Sequence, residues 1–290
     1  MLNIDKITKI FCITDDFCKK FDIEVSKHPK LPSGNEKKHR NRPCGMSDSE
    51  IITILLLFHF GTFRIFKHFY MHYICVHLKK EFPTALSYSR FIQIEHKVFM
   101  PMMFFLNTVC FGKCTGITFV DSTKIAVCNN KRIYQNKVFQ DIAKRGKGTM
   151  GWFYGFKLHL VCNDKGELLS FCLTTGNIDD RDPKTLQFLT KRLFGKLFAD
   201  KGYISQSLFE TLFCEGVHWV TGIKSNIKNR LMPLWDRIML RKRSIIETIN
   251  DMLKNVGNVE HSRHRSIHNF IMNLVAALGA YCFFRQKACY

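Results

Sequence analysis

The sequence predicts an α/β fold, a mixed sheet flanked by helices, preceded by an all-helical N-terminal domain. Three observations carry this reading. Apolar residues recur at helical spacing from Ile51 to Val109. From Gly116 the pattern changes to short apolar or alternating runs bounded by turn residues. After Pro183 such runs alternate with segments of helical period. The chain has 290 residues, enough for two modest domains. The expected division is a helical domain over 1–110 and a sheet-bearing domain over 111–290 that includes a closing helix.

Residues 1–45 read as polar and irregular, with the basic stretch Lys37-Lys-His-Arg-Asn-Arg42 ahead of Pro43. Ser47-Asp-Ser-Glu50 is a capping box that opens a helix. Helical spacing then runs on, broken at Gly61 and Pro83; the aromatic stretch Phe66–Tyr73 reads as helix packing. Gly116–Asp121 is the first strand, and residues 129–150 form a basic loop. In Trp152–Cys162, Phe156, Leu158 and Leu160 alternate with Lys157 and His159, as in a half-buried strand. Asn163-Asp-Lys-Gly166 is a turn, and Glu167–Thr174 the returning strand. Asp182 caps a helix that begins at Pro183 and runs to about Phe194. Leu197–Asp200 is a strand, Ser205–Cys214 a helix, Val217–Ile223 a strand and Leu240–Lys254 a helix. A three-strand meander followed by α/β alternation is the order of an RNase H-like fold. Ser266–Cys289 reads as a last helix packing back on the core.

Composition limits the function. Hydrophobic residues make up 46% of the chain, which excludes wholesale disorder. The formal net charge of +20 is the footprint of a polyanion binder, with nucleic acid as the default partner. Twelve cysteines are present, but Cys75, Cys128, Cys162, Cys172 and Cys282 lie in apolar runs, as buried thiols do. With no secretory pattern after Met1, a reducing, cytoplasmic setting is expected. Cys110 and Cys114 have no second pair at finger spacing, so no structural zinc is expected. Arg64 and Lys67 follow Ile51–Phe60, and Asn273 interrupts Phe270–Phe284, so neither stretch is expected to span a membrane.

Asp121, Asp200 and Glu247 are the candidate chemistry. Two follow apolar strand runs, and in open α/β sheets functional groups gather beyond strand carboxyl ends. Glu247 shares a polar stripe with Arg243 and Lys254, opposite Ile245, Ile249 and Met252. Taken singly, each also fits a turn or an ordinary amphipathic helix with i,i+4 pairing. Asp180 is the main rival to Asp200, and His159 reads as a surface histidine.

Three motifs bear a resemblance. Phe119-Val-Asp-Ser-Thr123, Ala199-Asp-Lys-Gly-Tyr203 and the Arg243–Glu247–Lys254 spacing resemble the signature of the DDE transposases of bacterial insertion sequences. Leu240 stands where that signature often has tyrosine. The resemblance covers about residues 112–285. It implies an RNase H-like catalytic domain in which Asp121, Asp200 and Glu247 hold two Mg²⁺ ions, with Mn²⁺ as a substitute. The implied reaction is hydrolysis of DNA at the element ends, then strand transfer into target DNA. Arg243, Lys254, Lys124, Lys157, Lys201, Tyr203, Arg241 and Lys242 would form the DNA track. The implied partners are the terminal inverted repeats and target DNA, bound by a homodimer at the bacterial nucleoid. The N-terminal helices are expected either to recognise the ends, by placing one helix in the major groove, or to serve dimerisation or packing. Two other readings stand beside this one: a nuclease without strand transfer, and a non-catalytic sequence-specific DNA-binding protein.

Overall fold

The computed structural model describes residues 3–28, 44–61, 63–148, 151–203, 206–222, 232–260 and 264–284. Lys37–Arg42, named above, lie outside them. In chain order the elements are α1 (Ile4–Lys27), α2 (Asp48–Phe58), α3 (Phe66–His68), α4 (Tyr88–Ile94), α5 (Phe99–Phe105), β1 (Ile117–Cys128), β2 (Lys144–Gly148), β3 (Gly151–Asn163), β4 (Leu168–Thr175), α6 (Pro183–Thr190), β5 (Gly195–Ala199), α7 (Gln206–Cys214), β6 (Val217–Thr221), α8 (Leu234–Lys242), α9 (Ser244–Asn255) and α10 (Ile267–Cys282). Two compact units result: Met1–Val109 with His268–Phe283, and Cys110–Ile267 with the last residues.

The second unit carries the sheet. Its order is β2-β3-β1-β5-β6, with β4 also on β3. β1 is antiparallel to β3 and parallel to β5, and β5 is parallel to β6. The meander followed by parallel strands is the mixed, helix-flanked sheet expected from the sequence. β3 is bonded to β1 along one edge. Along the other it pairs first with β2, up to Gly155, and then with β4, from Phe156. Gly155 stands at the changeover, where a Cβ would lie 2.1 Å from the Ile125 carbonyl oxygen. Gly195 opens β5 at φ +82°, with a Cβ position only 2.4 Å from Gly116 O, so β5 can start flush against β1. Asp182 caps α6, accepting from Thr185 N at 2.9 Å.

Several expectations need correction. The loop over 129–150 contains β2; Lys-Arg-Gly-Lys-Gly has no apolar alternation to announce a strand, and backbone pairing to β3 alone defines it. β1 does not end at Asp121 but runs on to Cys128, held by β3. The helix expected from Leu240 starts at Leu234 and is interrupted at Arg243. His159 is fully buried, because β3 is bonded on both edges and buried through most of its length.

The first unit is helical. Residues 4–27 are not irregular: α1 covers Ile4–Lys27, capped by Asn3, and buries Ile7, Ile10, Thr14 and Cys18. The wide polar face of that helix hides a narrow apolar stripe among many charges. α2 opens on the Ser47–Glu50 capping box and is buried at Ser49 and from Ile51 to Phe58. Phe66, Phe69, Tyr70 and Phe91 pack ring against ring, with Tyr70 and Phe91 centroids 4.6 Å apart. α10 groups with this unit rather than with the sheet, where the sequence reading put it; it is buried from Leu274 to Tyr281. Among the described residues no helix is long and apolar enough to cross a membrane, and the described cysteines are free thiols.

Glu95 gives this unit a pH dependence. It opens a 3-10 turn (Glu95–Val98) and is 4% exposed, and burial pushes its carboxyl up to about 8. In the unfolded chain a glutamate ionises near ~4.3. Between those values the unfolded chain has released the proton and the folded chain has kept it. Stability therefore falls as pH rises from ~4.5 to about 8 and levels off above. Glu95→Gln removes this slope. Urea midpoints measured across the window are expected to separate, with the variant gaining on the parent toward pH 8. Parallel profiles would mean that Glu95 ionises normally in the folded chain.

Candidate active site

The sheet builds the site by where its parallel pairing stops. β1 and β5 pair over Ile117↔Lys196, Thr118↔Leu197 and Phe119↔Phe198. Past that last pair β1 follows β3, with Asp121 opposite Leu160, while β5 ends at Ala199. Asp121 and Asp200 each stand two residues beyond the Phe119–Phe198 pair. They stand where the parallel strands part, the usual place for ligand groups in such sheets. Val120 and Ala199, the residues just before the two acids, are buried in the same core cluster and hold both strands down.

α9 supplies the third acid. Its apolar stripe, Ile245, Ile246, Ile249 and Leu253, is buried, which turns Glu247 outward. Arg243 stands at the junction of α8 and α9 with helical backbone angles, one turn before Glu247. Its Nη1 donates to Asp121 Oδ1 at 3.4 Å, its Nη2 donates to Glu247 Oε1, and Nη2 lies 3.9 Å from Asp200 Oδ1. One guanidinium thus gathers carboxylates from β1, the end of β5 and α9. The three acids that the sequence singles out are brought together.

Asn250 was not foreseen. One turn after Glu247 on α9, it is 6% exposed and donates Nδ2–H to Asp121 Oδ2 at 2.9 Å. Asp121 is therefore held at both oxygens, by Arg243 and by Asn250. The available signal was a polar residue inside the buried stripe of a helix, between Ile249 and Leu253.

The acids differ in setting. The Asp121 side chain is 21% exposed, against 56% for Asp200 and 55% for Glu247. Burial pushes the Asp121 carboxyl up to about 6; Arg243 and the Ser122 backbone N–H pull it down, and Glu247 and Asp200 add to the rise. Three carboxylates supply the hard oxygen donors that Mg²⁺ prefers. They already converge on a cation, so the donor set fits such an ion. Among the described residues no three His, Cys, Asp or Glu side chains stand close enough together to hold a metal as they are. The guanidinium lies between these three.

The other predicted residues fall into three groups. Lys124, on β1, and Lys254, on α9, are partly exposed, and Lys201, Arg241 and Lys242 are exposed. Lys157 is not a surface cation: its side chain is 14% exposed, and Nζ donates to Asp180 Oδ1 at 3.0 Å and Ile178 O at 2.8 Å. It stands opposite Lys124 in the β1–β3 register, where two bare ammonium groups would repel. Asp180 relieves that repulsion, which accounts for the acid that rivalled Asp200. Tyr203 is 2% exposed and packs on Trp219 in the core under the site, so it is not an exposed DNA contact. His159 bonds Thr174 Oγ1 at 2.9 Å, and burial lowers its pKa to about 4, so it is neutral near pH 7.

One family match agrees with this placement of the acids. The family described as transposase DDE domain matches residues 111–267, more than half of the chain and the span that contains all three acids. No curated protein matches. A solved structure of a piggyBac transposase synaptic complex with hairpin DNA is similar at 10% identity and a TM-score of 0.48, over 96% of this chain and 72% of that one. On the family match, the chain belongs to the transposase DDE domain family.

Proposed function

We propose that this chain is the transposase of a bacterial insertion sequence, cutting DNA at the element ends and joining the ends to target DNA. The observation that carries the reading is the convergence of Asp121, Asp200 and Glu247 on one cation, inside the span matched by the family. Those three would hold two Mg²⁺ ions, which when bound lower the pKa of an attacking water or 3′-hydroxyl and stabilise the leaving oxygen.

The remaining residues prepare that site. Asn250 fixes one oxygen of Asp121. Arg243 keeps three like charges together until cations or phosphates compete for it. Lys201 at the turn after Asp200, Arg241 and Lys242 at the end of α8, and Lys254 and Lys124 nearby would hold phosphates along the bound strand. The net charge of +20 suits a long DNA contact. We assign end recognition to the helical unit. The working form on DNA would be a homodimer, acting in the bacterial cytoplasm.

Asp121→Asn is expected to lose Mg²⁺-dependent cleavage of labelled DNA carrying the inverted repeats that flank the gene, while still binding that DNA. Cleavage equal to the parent's would sink the assignment of Asp121. Joined products separate a transposase from a nuclease, and an absence of cleavage by the parent would favour a DNA-binding protein. A second expectation concerns Asn250→Ala. It should lower cleavage by about 10–100-fold and raise the Mg²⁺ concentration needed, as loss of a partner behind a ligand does. An unchanged Mg²⁺ requirement would remove Asn250 from the site.

A further inference from the structure

We propose that the β2–β3 hairpin, with the 3-10 helix Asn130–Gln135, is a docking surface for an unpaired nucleic-acid strand. The proposal rests on the reading of DNA as partner, but it concerns a surface apart from the three acids.

The surface is built on a fixed frame. Phe139 is buried and meets Phe156 edge-on, and Tyr154 donates its hydroxyl to Phe139 O at 3.0 Å. Asn130 Nδ2 donates to Trp152 O at 2.7 Å, which ties the 3-10 helix to the start of β3. On that frame Arg145 pairs with Tyr154 and Lys147 with Trp152, and side chains directly opposite in a ladder share a face. Lys147 Nζ stands 6.0 Å from the centre of the Trp152 ring.

The exposed groups are of two kinds. Tyr134 is 89% exposed and Trp152 is 62% exposed. Lys131, Arg132, Arg145 and Lys147 are exposed, and none makes an ion pair among the described residues. Asp141 is the one acid between Asn129 and Trp152 in the sequence. Isolated exposed aromatics need no explanation. Two bare rings among four uncompensated cations match one chemistry, in which phosphates meet the cations and bases stack on the rings. A duplex offers the phosphates but keeps its base faces stacked. An acidic peptide offers charge but no flat partner for the indole. An unpaired strand uses both kinds of group.

The test uses the full chain without divalent metal, reading anisotropy of a labelled short oligothymidylate and of a blunt duplex. Trp152→Ala is expected to weaken the single strand by about 10-fold and the duplex hardly at all, and Trp152→Phe to restore most of the loss. Replacing Arg145 and Lys147 together with Ala should flatten the salt dependence of single-strand binding. The proposal is overturned if Trp152→Ala binds the single strand as the parent does, or loses strand and duplex equally. The two failures are distinguishable. If the parent does not cleave element ends yet Trp152→Ala loses the single strand selectively, the transposition reading falls and this surface stands.

Discussion

Three carboxylates share one corner of this fold, and a cation shares it with them. Asp121, Asp200 and Glu247 come from two strands and a helix, and without Arg243 their mutual repulsion would act on the elements that carry them. The guanidinium is suited to the task. Its planar fork reaches Asp121 with one nitrogen and Glu247 and Asp200 with the other, which a lysine ammonium would serve less well. The compensation is partial, one positive charge against three negative. A corner left net negative is one that invites further cations, which links its electrostatics to its proposed use.

Arg243 can do this because of where the chain bends. α8 and α9 meet at this residue, and the buried stripe of α9 points Glu247 and Arg243 the same way, one turn apart. The sheet does the rest. Parallel pairing of β1 with β5 stops at Phe119–Phe198, and both aspartates follow at equal distance from that point. Equal spacing past a common pair keeps the two carboxylates level with each other, and burial of Val120 and Ala199 fixes their height. Of the pair, only Asp121 remains in a ladder, through β3, and burial there raises its pKa.

Much of this was legible in the residues, for physical reasons. Apolar runs ending in Asp locate the strands, and the spacing of Arg243, Glu247 and Lys254 puts all three on one stripe of a helix. Ser47 with Glu50, and Asp182 before Pro183, mark helix starts through local hydrogen bonds that depend on little else. What escaped depends on neighbours far away in sequence. β2 exists because β3 offers an edge, since Lys144–Gly148 has no pattern of its own. His159, Lys157 and Tyr203 carry polar atoms and so read as surface residues, but β3 lies inside the sheet and the turn bearing Tyr203 folds under it. Asn250 is polar on a buried stripe, and only the approach of Asp121 gives it a partner. The first helix was hidden by its charges.

The extension of β1 past Asp121 also connects two parts of the molecule. The strand continues through Cys128, with a bulge between Ala126 and Cys128 where β3 turns from β4 to β2. Seven residues of strand separate Asp121 from Cys128, so at ~3.3 Å per residue the span is about 23 Å. A strand stacked as in a duplex advances ~3.4 Å per nucleotide, so roughly seven such nucleotides would fill that span, and an unstacked strand would fill it with fewer. A strand seated on Trp152 and Tyr134 would therefore have its reacting phosphate about that far along, if it follows β1 to the acids. From Asp121 to Ala126 every residue of β1 has a partner on β3, which makes that stretch a stiff spacer. Its length, rather than any loop, would set the interval between the nucleotide that is gripped and the phosphate that is cut.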